Sequence, residues 1–352
     1  MRAPDFGRLE RLVGGGPLRF SEMPGGASTR RYFRVERGGD PTAIAMFVPE
    51  GGKPEEIAKD AAHHRWPFLE VRDLLAAAGV DVPALYAEDQ DHGWLLLEDL
   101  GDDTLANYLA RHPESRETLY RQAVVDLARA QRALAALPSE SIVATRAFDA
   151  DLLRWEIDHF REWGLEARGH VLSPEDRAEY DEIAQRLAER IASWPRGFVH
   201  RDYQSRNLMV RETPRGPHRG EAAEQVTLCW IDFQDALLGP RVYDLVALLS
   251  DSYQTFDRAF VEARLRDFAT ETKSESLENL IEQFDYVTVQ RKLKDAGRFV
   301  FIERKKGNDT FLRFVEPTIA KVQAALARLS VRDPDMMALD RLLRRTLQAG
   351  QV

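Results

Sequence analysis

The order of apolar and polar positions divides this 352-residue chain into a strand-rich beginning and a helix-rich remainder. Residues 30–35 alternate between polar and apolar side chains, and residues 42–48 form an apolar run after a Gly- and Pro-containing turn, which predicts a strand pair. Residues 93–101 predict a further apolar strand. Segments in which apolar side chains recur at helical spacing predict helices. These segments are residues 59–78, 117–137 and 151–164 and two stretches between 311 and 348.

The composition and net charge of the chain disfavour several classes of function. The net charge is −9 at pH 7, and nucleic-acid-binding proteins usually present a basic face, so nucleic acid is disfavoured as a partner. The one cysteine, Cys229, cannot form an internal disulfide, and its apolar run favours a core position. The first residues lack the apolar core of a signal peptide, and no apolar run approaches the ~20 residues of a membrane span. We therefore expect a cytoplasmic protein without a membrane partner.

The segment 198–210 carries the strongest chemical signal. An apolar pair leads into His-Arg-Asp at 200–202, four residues follow, and Asn207 opens a strand-like run. The H-R-D-x-x-x-x-N spacing is typical of the catalytic loop of phosphoryl-transfer enzymes with a protein-kinase fold. It predicts that Asp202 is the catalytic carboxylate, which orients or deprotonates a substrate hydroxyl, and that Asn207 binds a metal ion.

A second apolar run, residues 226–231, ends at Asp232-Phe233-Gln234, where kinases carry a D-F-G triplet whose aspartate binds Mg²⁺. Residues 211–225 are rich in Pro, Gly and charged side chains, which predicts a solvated turn. A strand–turn–strand hairpin brings Asn207 and Asp232 to the same end, where an amide oxygen and a carboxylate suit Mg²⁺. The alternative is two unrelated acidic loops, which the shared order and spacing disfavour.

The turn at residues 25–29 is a candidate phosphate-binding loop, because backbone N–H groups of small residues can approach phosphates closely. The alternative is an ordinary turn. Its members, predicted to bind the nucleotide, are Gly25, Gly26, Ala27, Ser28 and Thr29.

The return strand, residues 42–48, lacks the lysine that kinases use to bind the ATP phosphates. Ala45 and Met46 occupy the corresponding region. Arg30, Arg31 or Arg34 is expected to substitute, because guanidinium groups offer paired donors to phosphate. The alternative is that these arginines only solvate a strand edge.

Side chains for the acceptor substrate are predicted on the helix at 151–164. Glu156, Phe160 and Trp163 recur at spacings of four and three, which places them on one helix face. Aromatic rings pack against the apolar face of a sugar, and a carboxylate accepts hydrogen bonds from its hydroxyl groups. The alternative is ordinary core packing or, for the basic candidates, a solvated helix face. Further candidates for substrate contacts are Arg201, Asp235, Gln290, Arg291 and Lys294.

Asp244 opens an apolar helix after a Gly-Pro turn. A carboxylate among bulky apolar residues must accept hydrogen bonds or destabilise the fold. One interpretation is a cap of the helix. The other is structural support of the catalytic loop, in which Asp244 braces the backbone around His200.

Several segments carry a resemblance to a known family: HRDYQSRNLMV, WIDFQDALLGPRVYDLVALL and QRKLKDAGRFVF. They are similar to the aminoglycoside phosphotransferase and choline kinase family. With GGASTRRYFRV and GWLLLEDLGDDTL, they most resemble the bacterial N-acetylmuramate/N-acetylglucosamine anomeric kinases of cell-wall sugar recycling. The resemblance spans residues 21–327, and the missing lysine fits the anomeric kinases.

The resemblance implies an α+β, protein-kinase-like bilobal fold. A small N-terminal antiparallel-sheet lobe would occupy residues 1–100, and a larger, mostly helical lobe for catalysis and substrate binding would occupy residues 101–352. It also implies ATP and Mg²⁺ as cofactors, and a hinge at Glu98, Asp99 and Leu100 whose backbone binds adenine. The implied reaction is phosphorylation of the anomeric hydroxyl of an amino sugar.

Two other functions stay open. A small-molecule kinase for an aminoglycoside, choline or an amino-alcohol expects an acidic pocket, which Asp102 and Asp103 permit and the basic segment 290–292 disfavours. A non-catalytic kinase-like scaffold explains the missing lysine. It does not explain why Asp202, Asn207 and Asp232 are all present.

Overall fold

The alternating segments near the amino terminus form an antiparallel sheet. The computed structural model describes residues 3–15, 18–24, 29–39, 41–49, 65–213, 225–273 and 276–349. The strands are β1 (Leu18–Glu22), β2 (Arg31–Arg37), β3 (Ala43–Phe47), β4 (Leu85–Asp89) and β5 (Trp94–Glu98). Their order in the sheet is β1-β2-β3-β5-β4, and every neighbouring pair is antiparallel.

One face of this sheet forms an apolar core. Phe33 and Val35 point to the same face of β2 because side chains alternate along a strand, and both are buried with Trp94 of β5. Helix α1 (Phe6–Leu12) contributes Leu9, which is fully buried in the same cluster. Polar positions between these residues therefore lie on the opposite face of β2.

The chain divides into two compact units. The first comprises Met1–Arg111 and Arg206–Gln234, and the second comprises His112–Ser205 and Asp235–Val352. The five-stranded sheet and the mostly helical remainder confirm the α+β class. The single boundary after residue 100 stays a prediction. Besides the sheet and α1, the first unit contains α2 (Pro67–Ala77), α3 (Leu105–Arg111) and the strands β7 (Leu208–Thr213) and β8 (Gln225–Trp230).

The second unit is mostly helical, with a short antiparallel pair of strands, β6 (Arg196–Val199) and β9 (Leu237–Pro240). The helices of this unit are α4 (Arg116–Ala133), α5 (Ala150–His159), α6 (Pro174–Ala192), α7 (Tyr243–Leu249), α8 (Arg258–Thr272), α9 (Leu277–Lys306), α10 (Val315–Leu329) and α11 (Pro334–Ala349). The long helix α9 packs against α5, α6, α7, α8 and α10. Within the described residues, no helix has both the length and the apolar character that crossing a lipid bilayer requires.

Several boundaries differ from the sequence-based expectation. The helix expected over 59–78 begins at Pro67, and residues 50–64 lie outside the described residues. The expected turn 211–225 is shorter, because its ends belong to β7 and β8, and residues 214–224 are also outside the described residues. The helix expected over 151–164 changes after His159 into a π-helical turn, Phe160–Leu165. A spacing of three or four therefore no longer defines one face there.

Gly297 lies where α9 passes closest to the end of α5. A Cβ atom at this position would lie 2.6 Å from the carbonyl oxygen of His159 and 2.9 Å from Cα of Phe160. Both are backbone atoms, so the helices must move apart. We expect Gly297→Ala to lower the free energy of unfolding by about 1–3 kcal/mol, measured by urea denaturation.

The matched control for this prediction is Gly7→Ala. Gly7 is exposed in α1, and its added Cβ would come no closer than 3.4 Å to a neighbouring atom. This change is expected to be neutral or to stabilise by about 0.5–1 kcal/mol, because alanine is the better helix former. Equal denaturation midpoints for Gly297→Ala and the wild type would contradict the close approach.

Candidate active site

A buried carboxylate holds the backbone of the segment 200–202. Asp244, in the first turn of α7, accepts hydrogen bonds from the backbone N–H groups of His200 (2.7 Å) and Arg201 (2.9 Å). Burial raises the pKa of Asp244 to about 7, against the effect of these two donors. Arg201 has a left-handed backbone with φ of 79°, which is unfavourable for a residue with a side chain unless its surroundings hold it. Asp244 therefore stabilises a strained turn immediately before Asp202.

A second buried carboxylate, Asp251, holds the other end of this segment. Its Oδ2 accepts hydrogen bonds from the Ser205 hydroxyl (2.6 Å) and backbone N–H (3.3 Å). Asp251 follows the end of α7 by two residues, so both ends of this short helix carry a carboxylate that contacts the segment. The sequence gives no signal for this role of Asp251, because its position after an apolar helix carries no information about what it contacts.

Positive charges surround the carboxylate of Asp202 in the second unit. Nη2 of Arg291 on α9 donates to Oδ1 of Asp202 at 3.3 Å. Burial by itself would raise the pKa of Asp202, but the charges of Arg291, Lys294, Arg201 and His200 outweigh it. The pKa of this carboxyl group therefore lies below its usual value. Asp202 is accordingly an ionised acceptor at neutral pH, as a residue that orients or deprotonates a hydroxyl requires.

Glu156 lies in a buried polar cluster. It is fully buried, and its carboxylate accepts hydrogen bonds from Gln290 (2.8 Å), Tyr243 (3.3 Å) and Arg201 (3.4 Å). The structure thus brings together three of the predicted substrate residues, Glu156, Arg201 and Gln290. All three side chains are buried, Arg201 and Gln290 both donate to Glu156, and a substrate contact by any of the three stays a prediction.

Phe160, Asp235 and Trp163, which were also predicted to contact the substrate, differ from one another in burial. Phe160 is fully buried in the core, and Asp235 is half-buried. Trp163 is also half-buried, with its ring edge-on to Phe301 at a centroid distance of 5.0 Å and Nζ of Lys305 5.4 Å from its centroid. The π-helical turn explains why the three positions predicted to share one face have such different surroundings.

The predicted hairpin is present in the first unit and brings Asn207 and Asp232 together. β7 and β8 pair with Leu208 opposite Trp230, so Asn207 and Ile231 meet just beyond the ladder, where Ile231 N–H donates to the Asn207 carbonyl at 3.0 Å. The Asn207 side-chain amide lies 3.4 Å from Oδ2 of Asp232. Asp232 has a left-handed backbone with φ of 62°. The hairpin thus presents one amide and one carboxylate from the same end.

The donor chemistry of this hairpin end fits a magnesium ion. Asn207 and Asp232 offer hard oxygen atoms, which Mg²⁺ prefers over nitrogen or sulfur. Nε2 of Gln234 donates to Oδ1 of Asp232 at 2.8 Å. This hydrogen bond from a neutral amide orients the Asp232 carboxylate. Kinases have glycine at the position of Gln234. This difference is visible in the sequence, but the contact of Gln234 with Asp232 is visible only in the structure.

The three arginines that were candidates for the missing lysine have different partners. Arg31 makes a paired ion bridge to Glu22 (2.7 and 2.8 Å), and Arg34 contacts both Asp99 and Asp102. Arg30 instead interacts with the hydroxyl of Tyr32, whose pKa is raised by burial and, to a smaller extent, by the charge of Asp232. Of these three arginines, Arg30 is therefore the one linked to Asp232, because both interact electrostatically with the hydroxyl of Tyr32.

Residues 25–28 of the predicted phosphate loop lie outside the described residues, whereas Thr29 is described and exposed. Met46 and Ala45, in the region of the missing lysine, are fully buried in β3. Neither residue has a charged group with which it could bind a phosphate. The nucleotide contacts of the loop and of Arg31 stay predictions.

The predicted hinge uses its side chains to stabilise the first unit. Asp99 accepts hydrogen bonds from Arg34 (2.7 Å) and Thr42 (2.6 Å), which hold its pKa below the usual value although burial opposes them. Glu98 accepts from Arg211 (3.0 Å) and from the backbone of Ala84 (3.1 Å). These bonds fix the main chain at 98–100, and adenine binding by that main chain stays a prediction.

Comparisons with known proteins agree with this chemistry. Residues 19–277 match the phosphotransferase enzyme family. The N-acetylmuramate/N-acetylglucosamine kinase of Pseudomonas aeruginosa is 34% identical over 326 residues, which cover 90% of this chain and 85% of the relative. The enzyme of the same name from Pseudomonas putida is 31% identical over 332 residues, which cover 92% and 87%.

A solved structure supports the fold. The ethanolamine kinase of Plasmodium vivax superposes with a TM-score of 0.56 over 90% of this chain and 85% of that one, at 12% identity. At this identity the likeness concerns the fold alone. The family match, by contrast, covers most of the sequence, and both bacterial relatives exceed 30% identity over nine-tenths of it. The chain therefore belongs to the phosphotransferase enzyme family.

Proposed function

We propose that this protein transfers the γ-phosphoryl group of ATP to the anomeric hydroxyl of N-acetylmuramate or N-acetylglucosamine. The observation that carries the proposal is the 34% identity, over nine-tenths of the chain, to a relative whose name specifies these two sugars. The pairing of Asn207 with Asp232 and the ionised state of Asp202 support the phosphoryl-transfer chemistry.

Each proposed catalytic residue has a separate task. Asp202 orients the acceptor hydroxyl and accepts its proton as the oxygen attacks phosphorus. Because an anomeric hydroxyl is more acidic than other sugar hydroxyls, Asp202 positions more than it deprotonates. Asn207 and Asp232 would hold Mg²⁺, which would supply positive charge to neutralise the phosphate oxygens. The protein thus supplies geometry and charge and forms no covalent bond with the phosphoryl group.

The nucleotide is proposed to be held by the first unit. The main chain at Glu98, Asp99 and Leu100 binds adenine, and the loop at 25–29 covers the phosphates. Arg30 is the proposed substitute for the missing lysine, because it interacts with Tyr32, whose hydroxyl senses the charge of Asp232, whereas Arg31 and Arg34 pair with Glu22 and Asp99.

The charge around Asp202 bears on the choice of acceptor. Arg291 and Lys294 lower the pKa of Asp202, so the surroundings of this carboxylate are cationic. Aminoglycosides and choline carry positive charge and would be repelled there. An N-acetylated sugar is uncharged, and N-acetylmuramate carries a carboxylate. These charges favour an amino-sugar acceptor over the cationic alternatives.

The proposal is tested by measuring ADP release from Mg-ATP with a panel of acceptors. We expect turnover with N-acetylmuramate and N-acetylglucosamine, and none with kanamycin or choline. The methyl glycosides of both sugars are the matched controls, because a methyl group blocks the anomeric oxygen and leaves the other hydroxyls intact. Turnover of the methyl glycosides would contradict anomeric transfer, and turnover of kanamycin or choline alone would contradict the sugar assignment.

A further inference from the structure

Three consecutive polar residues lie buried in the middle of α9: Gln290, Arg291 and Lys292. Buried amide and charged groups are costly unless they are paired. Gln290 donates to Glu156 at 2.8 Å, and Lys292 donates to Asp295 at 2.8 Å, so both bind partners that serve the fold. Arg291 differs from its neighbours, because its hydrogen bond goes to the proposed catalytic carboxylate.

The surroundings of Arg291 fix the guanidinium group relative to Asp202. Nη2 lies 3.3 Å from Oδ1 of Asp202, and the group lies over the ring of Tyr243, 4.7 Å from its centroid. Within the described part of the chain, Nε and Nη1 have no hydrogen-bond partner. An arginine that served only stability would pair these donors, because an unpaired buried donor destabilises the folded state. The arrangement therefore favours a role that concerns Asp202.

Asp202 is held from two directions within the second unit. Asp244 on α7 binds the backbone just before it, and Arg291 on α9 binds its side chain. The Asp202 side chain is 35% exposed, whereas that of Arg291 is 3% exposed, so the carboxylate reaches solvent and the guanidinium behind it does not. Within the described residues of the second unit, the charged groups that face Asp202 include Arg291 and Lys294 of α9, His200 and Arg201 of its own segment, and Asp244 of α7.

We propose that Arg291 is a positioning residue for phosphoryl transfer: it orients the carboxylate of Asp202 towards the acceptor hydroxyl and does not itself contact the acceptor. Its burial favours this role over the direct substrate contact that the sequence predicted. The inference rests on the proposed catalytic role of Asp202. It has two consequences. Removal of Arg291 lowers kcat rather than raising the acceptor KM, and this decrease in kcat occurs only when Asp202 is present.

The test is a double-mutant cycle of wild type, Arg291→Met, Asp202→Asn and the double variant. Methionine keeps the apolar stem and removes the charged group. We expect Arg291→Met to lower kcat by about 10- to 100-fold, while the acceptor KM and the Kd for Mg-ATP change by less than about two-fold. In the Asp202→Asn background, the same change is expected to lower kcat by less than about two-fold further. Arg291→Lys keeps the charge and is expected to recover part of the loss.

Lys292→Met is the matched control, because Lys292 is equally buried on the same helix and pairs with Asp295. It is expected to leave kcat within about two-fold of wild type. A raised acceptor KM at unchanged kcat in Arg291→Met would overturn the proposal. So would an undiminished effect in the Asp202→Asn background, or an equal loss of kcat in Lys292→Met. The cycle uses whichever acceptor the wild type phosphorylates, so a wrong sugar assignment is detected in the acceptor panel and does not alter this result.

Discussion

Replacement of Asp202 by asparagine is expected to lower kcat by about 10²- to 10⁴-fold, because the amide can neither accept the proton of the acceptor hydroxyl nor stabilise it by charge. The side chain keeps its size. Asp202 is also about one-third exposed, so the fold loses little. The Kd for Mg-ATP is expected to stay near the wild-type value, because Asp202 is not a proposed metal ligand. Single-turnover kinetics and nucleotide titration measure these two quantities.

The control for Asp202→Asn is thermal unfolding of the same protein, which is expected to show a midpoint close to that of the wild type. A large drop would point to a folding defect in place of a catalytic one. Near-normal turnover in a well-folded Asp202→Asn protein would sink the assignment of this carboxylate. In that case the motif at 200–207 would have to be explained as a structural turn held by Asp244 and Asp251.

Replacement of Asp232 by asparagine is expected to lower kcat/KM for Mg-ATP by about 10³-fold or more, because Mg²⁺ would lose its proposed carboxylate ligand. An amide oxygen binds Mg²⁺ more weakly than a carboxylate does. The Mg²⁺ concentration needed for half-maximal activity should therefore rise. A titration of Mg²⁺ at constant ATP measures this change. An unaltered Mg²⁺ dependence would show that Asp232 does not bind the metal.

Gln234→Ala is the graded control for the Asp232 prediction. Gln234 donates to Oδ1 of Asp232 and orients a proposed ligand without being one. Loss of such an orienting bond typically weakens metal binding or activity by about 10- to 100-fold, so its effect should be smaller than that of Asp232→Asn. A loss in Gln234→Ala equal to or larger than that in Asp232→Asn would reverse the proposed roles.

The two catalytic variants are expected to have opposite signatures. Asp202→Asn should bind Mg-ATP and fail in transfer, whereas Asp232→Asn should fail to bind the metal productively. Comparing the kinetics of the two variants therefore distinguishes a defect on the acceptor side of the reaction from one on the nucleotide side. The comparison does not require the structure of a complex. It also tests the scaffold alternative, because a protein that only binds nucleotide would lose nothing measurable when Asp202 is changed.

The local hydrophobic pattern and the motif spacing of the sequence were enough to predict several strands and the candidate site. The alternation along β2 and the apolar run of β8 predict strands, because a half-buried strand must alternate and a buried one must be apolar. β7 and β8 pair as an antiparallel hairpin, so Asn207 and Asp232 meet at one end as expected. The H-R-D-x-x-x-x-N spacing predicted phosphoryl-transfer chemistry. The motif lies within one short segment, so it can be recognised without knowledge of contacts to distant residues.

Tertiary structure alone decided which partner each buried charge has. Arg291 and Asp202 are 89 residues apart, and nothing in either segment indicates that α9 brings them within 3.3 Å. The π-helical turn likewise separates Phe160 and Trp163 from the face that regular helical spacing predicts. Periodicity reports which face of an element is buried, because burial depends on local amphipathicity. It does not report what that face meets, because the packing of distant elements determines each contact.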